Sequence, residues 1–251
     1  RQYMTTKEKL QDLVKRYQCA KDKGQLQNAS EATMRTWIDE LLSVFGWDVQ
    51  NTHQVLTEHS LGKEEKEKLN QIGSTNTRPD YTLVNGSVML AFVDAKRNSI
   101  DIKNAKDIAF QIRSYGWSIG APFSIVTNFE TLAIYDCSPM PKIEDYANIS
   151  RIYFLKYDEY VDKYEILDSF LSRTNVIAGN LKFVAKKANK LDETFSKMLG
   201  DIRKKLAKAI LKDNNVEDIK SLSSYVQTII NRVLFIRVCE SRGLEKDELL
   251  K

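Results

Sequence analysis

The chain has 251 residues, 42% apolar and 29% charged, close to the globular average, so a packed core in one large domain or two smaller ones is expected. A net charge of +4 admits an anionic partner without identifying one. Scattered cysteines (Cys19, Cys137, Cys239) and only two histidines (His53, His59) argue against a structural zinc site, and no membrane-length apolar run, signal-peptide pattern, GxxxxGK[ST] loop or GxGxxG turn occurs.

In chain order, Leu10, Leu13, Val14 and Tyr17 predict a first helix that ends before Gly24. Ser30 can cap a second, with Met34, Trp37, Ile38, Leu41, Leu42 and Phe45 along one stripe and Gly46 at its end. Glu31 falls at the edge of that stripe. As a first-turn glutamate it is favoured by the helix dipole, and its place beside the buried face leaves a second role open. Residues 46–56 read as a strand or extended entry, and the polar residues 57–78 as a loop or short helix. Tyr81 to Val84 and Val88 to Asp94 then flank Asn85-Gly86, a hairpin signal.

Strand parity tests what the hairpin brings together. Side chains alternate faces along a strand, so Leu90, Phe92, Asp94 and Lys96 share one face. A two-residue Asn85-Gly86 loop pairs Asp80 with Ala91, on the wrong face. A three-residue loop, Asn85-Gly86-Ser87, pairs Val84 with Val88 and sets Asp80 opposite Phe92, diagonal to Asp94. The expectation is that three-residue loop, or a bulge elsewhere in the hairpin.

Residues 103–117 predict a helix ended by Gly116 and Gly120, with Gln111 and Tyr115 on one face. Pro122 to Thr127, Thr131 to Tyr135 and Ile152 to Leu155 predict further strands, which makes the first part a mixed α/β sandwich. From about residue 158 only helices are predicted. Residues 181–212 carry ten Lys or Arg against three Asp or Glu, and Ile219 to Gly243 is an amphipathic helix. A boundary near residue 175 divides the chain into 1–175 and 176–251. The start at Arg1 and the end soon after a helix-like segment suggest a piece of a longer protein.

Two carboxylates facing each other at a strand end make an oxygen-rich site suited to Mg²⁺, which binds through one or two carboxylates and keeps several waters. A nearby lysine can hold an attacking water or help deprotonate it. A metal polarises a phosphoryl oxygen and stabilises the leaving oxygen. Asp80, Asp94 and Lys96 supply these parts for phosphodiester hydrolysis.

Pro79-Asp80 followed by Asp94-Ala95-Lys96 after an apolar strand resembles the PD-(D/E)XK nuclease motif. Glu31 matches the helix glutamate upstream of such sites, and Gln111 the glutamine on the helix that follows. Asp94 stands where glutamate is more frequent. A narrower resemblance covers most of the chain. "SEATMRTWIDELLSVFGWDV" and "RPDYTLVNGSVMLAFVDAK" look like the N-terminal nuclease domain of restriction–modification enzymes, of the type IIG kind and of type I restriction subunits. "IINRVLFIRVCESRGLE" looks like the helical connector that joins nuclease to methyltransferase in type IIG proteins.

The resemblance implies a restriction-endonuclease-like mixed sheet flanked by helices, followed by an all-helical connector, in the prokaryotic cytoplasm. It implies a Mg²⁺-dependent endonuclease, with Mn²⁺ as substitute, cutting double-stranded DNA. Asp80, Asp94, the Ala95 carbonyl and Glu31, directly or through water, would hold the metal. Lys96 would sit beside the nucleophilic water, and Gln111 would position the lysine or the DNA backbone, with Tyr115 assisting. Arg78 and Arg97 are the phosphate-contact candidates, with Tyr115 a further DNA-contact candidate. Methyltransferase and target-recognition domains would lie outside this chain, S-adenosylmethionine would not bind it, and two nuclease domains would pair to cut both strands.

Plainer readings stand beside these. Asp94 and Lys96 alone could be a solvated ion pair. The basic stretch 181–212 could bind phosphates but is more often a solvated helix face. Trp37, Trp47 and Trp117 read as packing aromatics, and His53 and His59 as incidental. A catalytically silent DNA-binding or assembly module with the same fold is the alternative function. A helical interaction protein is the third, supported if the last helix exposes an apolar stripe.

Overall fold

The computed structural model describes residues 4–179, 198–212 and 218–241. Two compact units divide the chain, Arg1–Asn180 and Leu181–Lys251.

The first unit opens with two capped helices. In α1 (Thr6–Asp22) Thr5 and Glu8 form a capping box, and Leu10, Leu13 and Tyr17 are buried. In α2 (Glu31–Val44) the Ser30 hydroxyl accepts the Thr33 N–H at 3.2 Å, and Met34, Ile38, Leu41 and Leu42 face inward. Residues 46–56 reach a strand only at their end, in the short β1 (Val55–Thr57). The polar stretch that follows carries α3 (Lys63–Gln71), anchored by the buried Leu69.

The sheet follows: β2 (Tyr81–Asn85), β3 (Val88–Ala95), β4 (Phe123–Thr127), β5 (Thr131–Asp136) and β6 (Arg151–Lys156). Six strands lie in the order β1-β2-β3-β4-β5-β6. Only β3 and β4 run parallel; the other neighbours are antiparallel. Parallel neighbours need a crossover, and α4 (Lys106–Ile119) supplies it, packing on both strands. Phe92, Ile112, Tyr115, Val126, Ala133 and Tyr135 form one buried cluster beneath α4. On the other face α2 meets β3, and the Tyr81 hydroxyl donates to Asp39 at 2.7 Å. Trp47 is buried with its indole N–H on the Leu171 carbonyl at 2.6 Å, and Trp37 packs edge-on to Tyr17.

Gly116 does not end α4; it lies inside the helix. A Cβ there would strike the Cys137 side chain and come within 2.7 Å of the Ser124 hydroxyl, so glycine lets the helix approach the sheet. The stop comes at Gly120, whose φ of +70° is left-handed.

The hairpin resolves the parity question through a bulge. The three-residue loop does not form: Asn85 pairs with Val88, so Gly86 and Ser87 alone make the turn, with Gly86 at φ +62°. Val84 then pairs with Met89 but Leu83 with Ala91, which leaves Leu90 as an extra residue in β3. Past the bulge Tyr81 faces Val93, so the next position in that register sets Asp80 directly opposite Asp94.

After β6 come a 3₁₀ turn (Tyr157–Glu159), α5 (Tyr164–Leu171) and α6 (Arg173–Ala178), which contains residue 175. The second unit has a helix over residues 198–212 (α7) and a longer one, α8 (Ile219–Ser241). Of the basic stretch, residues 181–197 lie outside the described residues, as does Gly243. On α8, Val226 and Ile230 are buried, while Tyr225, Ile229 and Val233 are exposed at four-residue spacing. Among the described residues no helix is long and apolar enough to cross a membrane. The architecture is therefore the expected α/β class: a mixed sheet flanked by helices, then, among the described residues, helices alone.

Candidate active site

The bulged hairpin carries Asp80 and Asp94 to the end of the sheet, where β3 runs into its loop. Asp94 is 2% exposed. Asp80 Oδ2 accepts the Ala95 N–H at 2.7 Å, a bond that locks its carboxylate across the strand end. The Lys96 ammonium pairs with Asp94 Oδ2, and the Lys96 N–H extends the parallel ladder by donating to the Thr127 carbonyl at 3.0 Å. Side-chain alternation puts Asp94 and Lys96 on the same face.

Two carboxylates this close and this buried disfavour double ionisation. Burial, then the charge of Asp94 and a hydrogen bond with it, push the Asp80 carboxyl from 3.8 up to about 7, against the Ala95 N–H and the Arg35 guanidinium.

Gln111 and Tyr115 meet as their spacing on α4 requires: Gln111 Nε2 donates to the Tyr115 hydroxyl at 3.0 Å. Tyr115 is fully buried with its ring 5.7 Å from that of Phe92. Burial first, and then the negative charge of Asp94, hold its hydroxyl well above the ordinary range. From that position it packs under the carboxylates and offers no surface to DNA. Arg78 and Arg97 are exposed. Beside Arg97 and Lys96 opens a cavity of about 720 Å³, walled by Asn28, Ser30, Glu31 and Ser99. Its two loops are tied by Asn98 Nδ2 donating to the Leu26 carbonyl at 3.2 Å.

Glu31 does not join the carboxylate pair. Its Oε1 accepts from Arg35 Nη2 at 3.2 Å, one turn along α2. The same guanidinium reaches Asp80 Oδ1, and its Nη1 donates to Glu58 Oε1 at 2.8 Å. Sequence reasoning missed Arg35. The one signal for it is the (i, i+4) spacing from Glu31, which predicts a helical ion pair and nothing about Asp80.

No family model matches this chain, and no solved structure matches it. The chain is similar to a restriction enzyme. It is 33% identical over 261 residues to the Escherichia coli protein named type II restriction enzyme and methyltransferase RM.Eco57I. The match covers 98% of this chain, which spans 26% of that relative's length.

The donor set fits a hard divalent cation in part. Asp80 and Asp94 present only oxygen and repel each other, and a cation between them relieves that repulsion. Among the described residues no group of three His, Cys, Asp or Glu side chains is gathered for a metal. Further ligands would therefore come from main-chain carbonyls such as that of Ala95 and from water, which Mg²⁺ accepts readily.

Proposed function

We propose that this chain is the nuclease part of a restriction–modification enzyme, and that it hydrolyses DNA phosphodiester bonds with Mg²⁺, or Mn²⁺ in its place. The observation that supports this most is the buried Asp80–Asp94 pair with Lys96 on Asp94. Two like charges held at a sheet end cost folding energy. A silent module has no use for them, whereas a cation site does.

In this reading Asp80 and Asp94 hold the cation, and the Ala95 N–H keeps Asp80 turned toward Asp94. When bound, a divalent cation supplies Lewis-acid polarisation of the phosphoryl oxygen and charge for the leaving oxygen. Lys96, 16% exposed at the mouth of the site, orients water for in-line attack and, once it has released its own proton to solvent, takes the water's. Gln111 and Tyr115 fix the floor beneath the pair. Arg97 and Arg78 meet the phosphates of the approaching strand. The apolar stripe of Tyr225, Ile229 and Val233 on α8 packs against the methyltransferase or target-recognition part of the enzyme, and two nuclease units pair to cut both strands.

Calorimetric titration of Mg²⁺ or Mn²⁺ into the chain, beside an Asp80→Ala/Asp94→Ala double variant, tests the site. Binding lost in the variant is expected. Equal binding by both proteins places the cation elsewhere and removes the mechanism.

A further inference from the structure

Arg35 already sets a positive charge against Asp80. Its guanidinium contacts three carboxylates from three parts of the chain: Glu31 on its own helix, Glu58 just after β1, and Asp80 before β2. The side chain is 24% exposed, so it is partly withdrawn from water, while Glu31 and Glu58 are 43% and 57% exposed. Lys96 pairs with Asp94 and Arg35 with Asp80, so each carboxylate meets a metal with a cation already beside it, while Glu31 and Glu58 share Arg35 and leave the cluster negative. A guanidinium does not lose its proton in a protein, and its charge stays.

Resting on the reading of Asp80 and Asp94 as the cation site, we propose that Arg35 is a positioning residue that sets how tightly this site holds a divalent cation. It engages Asp80 Oδ1 while the Ala95 N–H engages Oδ2, so Asp80 is offered to a metal in one orientation and with a competing positive charge at its back. It also draws Glu31 onto itself and away from the pair. The site is thereby a two-carboxylate one, with Glu31 acting on Arg35 and not on the metal. An anionic phosphodiester adds negative charge beside Arg35 and Lys96, so cation and DNA bind better together than apart.

The test is calorimetric titration of Mn²⁺, without DNA, into the chain and its Arg35→Ala, Arg35→Lys, Glu31→Gln and Asp94→Ala variants, with thermal melts to establish folding. Removing a unit charge roughly 6 Å from a divalent cation raises affinity about tenfold even at the dielectric constant of water, so Arg35→Ala binds Mn²⁺ about tenfold tighter. Arg35→Lys keeps the charge and stays near wild type. Glu31→Gln lowers affinity by only about fourfold, the effect of a unit charge roughly 10 Å away, because Glu31 is paired with Arg35 and does not hold the metal. If Arg35→Ala does not fold, the lysine and glutamine variants decide. Weaker binding by Arg35→Ala, or a tenfold loss in Glu31→Gln, overturns the role given to Arg35 so long as Asp94→Ala still abolishes binding. Binding that survives Asp94→Ala, or none by any protein, overturns the cation site itself and this inference with it.

Discussion

Asp94→Asn should raise the stability of the metal-free protein while removing its response to metal. The substitution keeps shape and removes one of two facing charges. Two unit charges about 4 Å apart repel by about 4 kcal/mol at an effective dielectric of 20. Removing Asp94 also forfeits its attraction to Lys96, of similar size, so these two changes nearly cancel. What remains is the hydrogen bond that the new amide donates to the Asp80 carboxylate, worth about 1.5 kcal/mol because its acceptor is charged. At roughly 2–4 °C per kcal/mol for a chain of this size, the variant should melt about 4 °C above wild type in chelator at pH 8.

Saturating Mg²⁺ at a hundred times its Kd should then stabilise wild type alone, by about 2.7 kcal/mol, and reverse the order. The pH dependence has a definite sign. Asp80 is raised from 3.8 to about 7 on folding, so the folded state binds its proton more tightly than the unfolded chain. That contribution is complete below 3.8 and is lost as pH rises through about 7. Since Asp94 is part of the cause, protonating Asp80 relieves the wild type, so the variant's advantage at pH 8 should shrink as pH falls through about 7 and reverse by pH 4, where the lost attraction to Lys96 is no longer offset. Differential scanning fluorimetry across this range, with chelator and with Mg²⁺, reads all three effects. A variant less stable than wild type in chelator at pH 8, or equal stabilisation of both by Mg²⁺, would refute the reasoning.

Lys96→Met keeps the aliphatic stem and removes the charge, so cation binding should persist while cleavage by the full-length enzyme falls at least about a hundredfold; undiminished cleavage would remove Lys96 from the chemistry. Asp145→Ala tests packing far from the site. Arg113 is 1% exposed, pairs with Asp145 at 2.8 Å, and has an Nε with no hydrogen-bond partner, so losing Asp145 strands a buried charge at a cost of about 3 kcal/mol in urea unfolding. A loss below about 1 kcal/mol would show that Arg113 reaches water. Burial raises the Asp145 carboxyl, but the Lys142 N–H and Arg113 outweigh it and leave it below 3.8, so its contribution is present above that pH and is lost as pH falls further.

Local physics in the sequence determined the helices and the neighbourhood of the site. Apolar spacing placed α1, and spacing with the Ser30 cap placed α2, because a helix and its caps need only near neighbours. Asp94 and Lys96 sit two apart in one strand, so alternation alone set them on one face. Asp80 lies across a short hairpin, and parity demanded an irregularity there without saying where. Packing chose the bulge at Leu90 over a longer loop, a choice between two local solutions that alternation permits equally. Gly116 read as a helix end because the strands that crowd it, through Ser124 and the adjoining Cys137, are remote from it in the pattern. Arg35 was invisible for the same reason on a larger scale. Its partners on Glu58 and Asp80 are brought to it only when α2 docks on the sheet, and no periodicity in a chain encodes which side chain will meet which across that contact. The residue types able to hold a cation were therefore legible from the sequence, while the counter-charge that occupies one of them was decided by the tertiary structure.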